Sequence, residues 1–271
     1  MKEITKTFTN NFKYDLNKLG NPEKILFFDI ETTGLSPKNS SLYLIGCIHI
    51  GDEITFKQWF AESLGDEEIL LQSFYSYAKY FDILIHFNGD SFDLPYIREC
   101  SKQYYLFNPL DNMYSIDIYK MVRYLKKPLN LSHMNQKSIE EYLGLKRKDI
   151  YTGGNLIEFY FGYLQNKDTK LLDLLLLHNE EDLLGMLKVM DMLSFVDFFN
   201  SDFSLISHEI SCDFLILRFT GNEFVNYDLE LVDELKLHIS GNTMVVKIPI
   251  LNAELKYFFS NYKDYYYLII E

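Results

Sequence analysis

The pattern of apolar and polar positions predicts a buried strand that begins at residue 25. Apolar residues fill positions 25–28 and 30, Asp29 and Glu31 interrupt them, and Thr32-Thr33-Gly34 ends the run. Successive side chains of a strand point to opposite faces, so Asp29 and Glu31 are expected to project together, away from the apolar side chains beside them. Such an apolar strand is typical of the centre of a sheet.

The pattern after this strand predicts an antiparallel meander and then an alternation of helices and strands. Acidic residues that follow Gly65 are expected to open the first helix, because the positive end of a helix dipole favours them. The predicted strands are 42–50, 54–60, 82–87 and 113–118, and a second helix is predicted over 94–105. Three consecutive strands followed by helix, strand, helix, strand favour an α/β fold in which helices cover a mixed sheet.

The second half of the chain is expected to be helical at first and β-rich later. Residues 119–154 are predicted to be mostly helical and are locally basic, which fits a solvated helical face and a phosphate-tracking surface equally well. A long helix rich in Leu and Met is predicted over 168–195. Short antiparallel strands are then predicted at 213–219, 235–239 and 243–248.

These patterns predict three parts of the chain: a polar lead-in over 1–24, an α/β domain over 25–197 and a β-rich extension over 198–271. The densely aromatic tail, residues 257–270, is expected to serve as core or interface, with base stacking as the alternative.

Composition narrows the class of protein. The 271 residues are 48% hydrophobic and 16% aromatic, which is typical of a well-packed globular chain. The net charge of −13 argues against a passive nucleic-acid coat, although an enzyme that gathers its acids around metal remains compatible with it.

Cysteine usage and hydropathy favour a reduced cytoplasmic protein. Cys47, Cys100 and Cys212 are widely spaced and odd in number, so neither a disulfide framework nor a zinc site is expected. The first 15 residues lack the apolar core of a secretory signal, and no apolar run is long enough to span a bilayer. We therefore expect no association with a membrane.

Asp29 and Glu31 form the first candidate site. Two carboxylates side by side on a buried strand repel each other and resist ionisation unless a cation holds them. Ligands that are all oxygen favour Mg²⁺ or Mn²⁺. The alternative is that the strand ends near residue 29 and both acids simply meet water.

Two later stretches add further candidates. Asn88-Gly-Asp-Ser-Phe-Asp93 follows a predicted strand directly, at the edge where open α/β sheets place their sites, although Asp93 also suits a helix N-cap. On the long helix, His178 and Asp182 are four residues apart and therefore share one face. That face is otherwise apolar. The alternative is that His178 is a buried core residue whose ring is hydrogen-bonded and has no catalytic role.

Together these segments resemble the DnaQ-like, or DEDD, superfamily of 3′→5′ exonucleases, whose fold is ribonuclease-H-like. The resemblance rests on Phe28-Asp-Ile-Glu-Thr-Thr-Gly-Leu35, on Asn88-x-x-x-Phe-Asp-x-Pro-Tyr96 and on His178-x-x-x-Asp182, in that order, within residues 25–195. Within the superfamily the chain is most similar to the YprB-type predicted exonucleases, which share features such as the Gly153-Gly154 turn.

The resemblance implies roles for individual residues. The four metal-binding carboxylates of the family fall on Asp29, Glu31, Asp93 and Asp182. They imply two divalent ions, Mg²⁺ or Mn²⁺, and a nucleic acid substrate, DNA or RNA. His178 falls near the place of the general base. The family has either Tyr four residues before the last Asp or His five residues before it, so His at four is a departure.

Three more residues are expected to position the terminal nucleotide: Thr32, Leu35 and Asn88. Other functions remain open for such a sequence. One is an endonuclease or ribonuclease H on the same fold, and another is a non-catalytic binding module. The sequence does not choose between DNA and RNA, between single and double strands, or between oligomeric states.

Overall fold

The computed structural model describes residues 1–9, 13–232 and 235–250, so the aromatic tail of the sequence analysis lies outside the described residues. Its first part is the predicted α/β unit, a mixed sheet of strand order β1-β4-β3-β2-β5-β6. The strands are β1 (Lys2–Phe8), β2 (Ile25–Thr32), β3 (Leu42–Ile50), β4 (Ile54–Phe60), β5 (Ile83–His86) and β6 (Tyr114–Asp117). The fold class expected from the sequence is therefore confirmed.

The helices lie between and after these strands. They are α1 (Glu67–Ala78), α2 (Asp93–Gln103), α3 (Ile118–Val122), α4 (Gln136–Tyr142), α5 (Gly153–Asn166), α6 (Thr169–Val189) and α7 (Leu193–Asn200). Within the described ranges, none of these helices is both long and apolar enough to cross a bilayer.

Strand β2 is the centre of the sheet and sets its mixed character. It pairs antiparallel with β3, where Asp29 lies opposite Gly46, and parallel with β5. Strand β5 in turn pairs parallel with β6. Because parallel strands end at the same edge, the residues that follow β2, β5 and β6 meet there.

The alternation along β2 divides the core into two layers. Ile25 and Phe27 belong to the cluster that also contains residues of α6 and α7, whereas Leu26 and Phe28 join the cluster with residues of α1, α2 and α5. Asp29 and Glu31 continue the first series, so their carboxylates project toward α6.

The structure differs from the sequence expectations in several places. Residues 119–154 contain only short helices separated by irregular chain. The long helix predicted over 168–195 ends at Val189, and the extension has two strands that were not predicted, Phe203–Ser211 and Leu229–Val232. The lead-in contains a strand: β1 pairs antiparallel with β4 and forms the edge of the sheet. Its polar, exposed residues suit an edge strand, which carries no signal of burial.

The β-rich extension forms a second, antiparallel sheet of order β7-β8-β11-β10-β9. Its strands are β7 (Phe203–Ser211), β8 (Phe214–Gly221), β9 (Leu229–Val232), β10 (Lys236–Ser240) and β11 (Thr243–Pro249). Leu229 and Ile239 of this sheet join the core cluster that contains Phe195 and Phe198 of α7.

Asp191, in the short 3-10 helix Met190–Met192 that follows α6, connects three parts of the chain. Its side chain is fully buried and accepts hydrogen bonds from the backbone amides of Lys13 (2.6 Å) and Tyr14 (3.0 Å). The Tyr227 hydroxyl (2.9 Å) and the Lys188 ammonium (3.0 Å) also donate to it. One carboxylate therefore links the N-terminal segment, α6 and the extension.

We expect Asp191→Ala to lower the free energy of unfolding by about 3 kcal/mol, because it leaves buried amides and a partly buried ammonium without an acceptor. Urea denaturation checks this, with Asp202→Ala at an exposed position as the control, for which a change within about 0.5 kcal/mol is expected. Equal effects of the two substitutions would contradict the linking role of Asp191.

Candidate functional site

The candidate site lies where the carboxyl half of β2 faces helix α6. Asn179 of α6 donates from Nδ2 to Oδ2 of Asp29 at 2.8 Å. Its own Oδ1 accepts from Gln58 of β4 at 2.9 Å. Gly46, opposite Asp29, allows this approach, since a Cβ there would lie 2.0 Å from Asn179 Oδ1. A glycine and two buried amides therefore hold α6 against β2.

Asp93 reaches the same place from α2. It is the first residue of that helix, which has Phe92 in the N-cap position. Its Oδ1 accepts a hydrogen bond from the backbone amide of Ile30 at 3.3 Å. The carboxylate of Asp93 is thus fastened to the backbone between Asp29 and Glu31.

His178 and Asp182 approach Glu31 from α6. The Nε2 atom of His178 lies 3.1 Å from Oδ2 of Asp182 and 3.5 Å from Oε1 of Glu31. These three side chains could each offer one ligand atom to a common ion, since the atoms lie within 4.8 Å of one another. The structure therefore brings together all five residues to which the sequence analysis assigned the chemistry.

The electrostatics of the site are those of like charges gathered in partial burial. Burial raises the pKa of Asp29 and of Glu31 well above the usual range, and the charges of Asp182 and Asp93 raise both further. Burial likewise raises the pKa of Asp93 to about 7, although the Ile30 amide opposes the shift. A divalent cation would relieve this repulsion, and the all-carboxylate donor set fits Mg²⁺ or Mn²⁺.

The sequence model of the RNase_H superfamily matches residues 26–194, which contain the whole of this site. The chain belongs to the RNase_H superfamily. The uncharacterized protein YprB of Bacillus subtilis is 27% identical over 175 residues, which are 62% of this chain and 41% of YprB. This chain thus spans less than half the length of that relative.

One solved structure shows the same fold, and another is a weaker match. The family B DNA polymerase of the hyperthermophilic archaeon Pyrobaculum calidifontis is 18% identical, with a TM-score of 0.52 over 66% of this chain and 26% of the polymerase. E. coli exonuclease I in complex with a dT13 oligonucleotide is a looser match, 13% identical over 59% of this chain and 45% of the exonuclease, with a TM-score of 0.37. Family membership confirms the expected ribonuclease-H-like fold, and the YprB match confirms the expected similarity to YprB-type proteins.

In this RNase_H superfamily member, Asp149 orients His178, a contact the sequence analysis missed. Its Oδ2 lies 2.6 Å from Nδ1 of His178. Burial would raise the pKa of Asp149, but the Tyr151 amide and the His178 ring together hold it below its usual value. An ionised Asp149 can accept a hydrogen bond from Nδ1–H of His178, an arrangement in which Nε2 faces Asp182 and Glu31.

Arg147 contacts Asp182 from the other side and was also missed. Its Nη1 donates to Oδ1 of Asp182 at 2.5 Å, while Nε and Nη2 form a bidentate pair with the buried Glu140 at 2.5 and 2.6 Å. The Glu140 carboxylate lies against Gly185 of α6, where a Cβ would be 1.9 Å from Oε1. Arg147 therefore fixes the orientation of Asp182.

Glu181 anchors the loop that carries Arg147 and Asp149. Its carboxylate accepts hydrogen bonds from the backbone amides of Lys148 (2.9 Å) and Asp149 (2.8 Å). The sequence analysis missed this loop because an irregular segment has no periodicity. The only local signal was the run of three basic residues, 146–148, that precedes Asp149.

The three residues expected to position a nucleotide lie at the ends of β2 and β5. Thr32 donates from Oγ1 to the Gly34 carbonyl at 2.8 Å, and the Leu35 side chain is 87% exposed just beyond. Asn88 has a positive φ of 61°, and its backbone N–H donates to Oδ1 of Asp117 at 2.8 Å. An exposed apolar side chain therefore follows β2, and an exposed Asn side chain follows β5.

The pKa shifts predict that metal binding depends on pH. Because the pKa values of Asp29, Glu31 and Asp93 are raised, an incoming ion must displace protons from these carboxyls near neutrality. We therefore expect the affinity for Mn²⁺ to rise between pH 6 and pH 8, with release of protons at pH 7. Isothermal titration in two buffers of different ionisation enthalpy measures both. An affinity independent of pH, with no proton release, would contradict the assignment.

Proposed function

We propose that this chain is a divalent-metal-dependent 3′→5′ exonuclease that hydrolyses the phosphodiester bonds of DNA or RNA. The observation that carries the proposal is the convergence of Asp29, Glu31, Asp93 and Asp182 on one place, with Nε2 of His178 beside two of them. Four carboxylates gathered in partial burial destabilise a fold unless they hold cations. Membership in the RNase_H superfamily supports a nuclease.

Each residue has a distinct task in this proposal. Asp29, Glu31 and Asp182 would hold one ion, while Asp29 and Asp93 would hold the second. Ions held in this way would supply a lower pKa for the attacking water and stabilisation of negative charge on the leaving 3′ oxygen. Nε2 of His178 takes the proton of the attacking water while Asp149 keeps Nδ1 protonated. The spacing of His178 departs from the family pattern, but its ring nitrogen faces the carboxylates.

The resemblance to the DEDD exonucleases supports the 3′→5′ polarity. Exposed Leu35 follows β2 and can pack against the last base of a strand, whose 3′-terminal phosphodiester would then lie over the carboxylates.

We expect Asp29→Asn and Asp182→Asn each to lower the rate of hydrolysis by about 10²–10³ or more without unfolding the chain, because each removes a negative ligand from the centre. The control is Glu180→Gln on the same helix, whose carboxylate pairs with Lys6. Digestion of 5′-labelled single-stranded DNA and RNA, with Mn²⁺, Mg²⁺ or chelator, measures the rates.

The product pattern of that digestion tests the reaction type. A ladder that shortens from the 3′ end, and is lost with chelator, supports the exonuclease. Internal fragments would show that the enzyme is an endonuclease instead of an exonuclease. Full activity of both variants would contradict the assignment of the carboxylates, and binding without any cleavage would favour a non-catalytic module.

A second substitution tests the general base. Asp149→Asn is expected to lower kcat about a hundredfold, because an amide that donates to Nδ1 favours the tautomer whose Nε2 carries the proton. Binding of Mn²⁺ should persist, since the four carboxylates remain. Asp173→Asn, at an exposed position of α6, is the control. An unchanged pH–rate profile in Asp149→Asn would show that His178 does not act as the base.

A further inference from the structure

A cavity of about 810 Å³ opens beside the carboxylates, and its walls are basic and aromatic. Asn88, which follows β5, and Gln136, the first residue of α4, are among its lining residues. Nε2 of Gln136 donates to the backbone carbonyl of Asp182 at 2.6 Å, so the cavity adjoins the candidate site through this residue. Its volume lies within the roughly 300–1,000 Å³ typical of ligand pockets.

The charged residues around this cavity are basic, whereas the chain as a whole is acidic. Arg123 and Lys126 line it, and Lys127 joins them in a hollow of about 440 Å³ that shares Arg123, Tyr124 and Lys126 with it. No aspartate or glutamate is among the described residues that line either space. The net charge is −13, yet these three cations form no ion pair within the described part of the chain. Cations left unpaired among so many acids indicate an anionic ligand.

Aromatic side chains accompany the cations. Tyr124 lies in both spaces and is 48% exposed. Phe87 and Tyr119 form one wall, with ring centroids 5.8 Å apart and planes at 63°. A half-exposed ring that lines the same spaces as two cations combines a face for base stacking with contacts for the flanking phosphates. A solvated helical face requires no such rings.

We propose that the surface formed by Phe87, Tyr119, Arg123, Tyr124, Lys126 and Lys127, the strand groove, binds the unpaired nucleotides of a single-stranded nucleic acid whose end lies at the carboxylates. This inference rests on the proposed function and adds the form of its substrate. Bases within a duplex are turned toward each other, so they cannot stack on Tyr124. The strand groove therefore selects a single strand.

The test measures binding separately from hydrolysis. Fluorescence anisotropy of a 5′-labelled oligo(dT) and oligo(rU), with Ca²⁺ in place of Mn²⁺, gives the affinity at several salt concentrations. For Tyr124→Leu we expect affinity to fall about fivefold or more, with recovery in Tyr124→Phe, because only an aromatic ring restores stacking. For the double variant Arg123→Gln/Lys126→Gln we expect the slope of log Kd against log salt to decrease by about 1.4.

Matched controls lie at the other end of β5 from the strand groove. Lys79 and Tyr80 are an exposed cation and an exposed ring that follow α1, near the start of β5. Lys79→Gln and Tyr80→Leu should leave the affinity and its salt slope unchanged.

A small substrate separates the two proposals. The p-nitrophenyl ester of thymidine 5′-monophosphate reaches only the carboxylates, so the strand-groove variants should hydrolyse it with Mn²⁺ at the wild-type rate. Wild-type affinity of Tyr124→Leu and of the double variant would overturn the strand groove, as would equally tight binding of a blunt duplex. If the wild-type protein hydrolyses neither the ester nor an oligonucleotide, the proposed function fails. Weaker binding by the strand-groove variants would still support the strand groove in that case.

Discussion

The repulsion among Asp29, Glu31, Asp93 and Asp182 is the constraint on which the rest of the structure depends. Burial and mutual charge raise the pKa values of the first three well above those of free carboxyls. A sheet centre that holds such a group is stable only if neighbouring elements supply compensating contacts or a cation. The neighbours supply the first form of compensation as amides and a guanidinium, and the donor set fits a divalent ion, which would supply the second.

The neutral contacts come from α6 and the sheet. Asn179 donates to Asp29 and is held by Gln58, and Gly46 removes the Cβ that would keep α6 away. The Ile30 amide donates to Asp93. These groups orient the carboxylates without neutralising them, so the negative charge remains available for a metal ion.

The charged contacts come from the loop between α4 and α5. Arg147 joins Asp182 to Glu140, and Asp149 holds Nδ1 of His178, while Glu181 holds the backbone between them. One loop thereby orients the last carboxylate and the imidazole together. A displacement of this loop would disturb both residues at once, which joins the base and the metal ligands into one unit.

The sequence predicted the parts of this arrangement that are encoded locally. The alternation in β2 placed Asp29 and Glu31 on one face, and the four-residue spacing placed His178 beside Asp182, because strand and helix periods are local properties. Arg147, Asp149 and Asn179 were not predicted. Their roles arise from tertiary contacts with α6 and β2, and the loop residues lie in a segment without periodicity. The strand β1 escaped notice because a polar edge strand has no apolar alternation.

The most direct test of the account is the anomalous diffraction of crystals grown with millimolar Mn²⁺. The account predicts strong anomalous density enclosed by Asp29, Glu31, Asp93 and Asp182. His86, Asp90 and Asp117 form another group that could offer ligand atoms to one ion. Density only at that second group, or no density at either place, would contradict the claim that the carboxylates of β2, α2 and α6 bind metal ions.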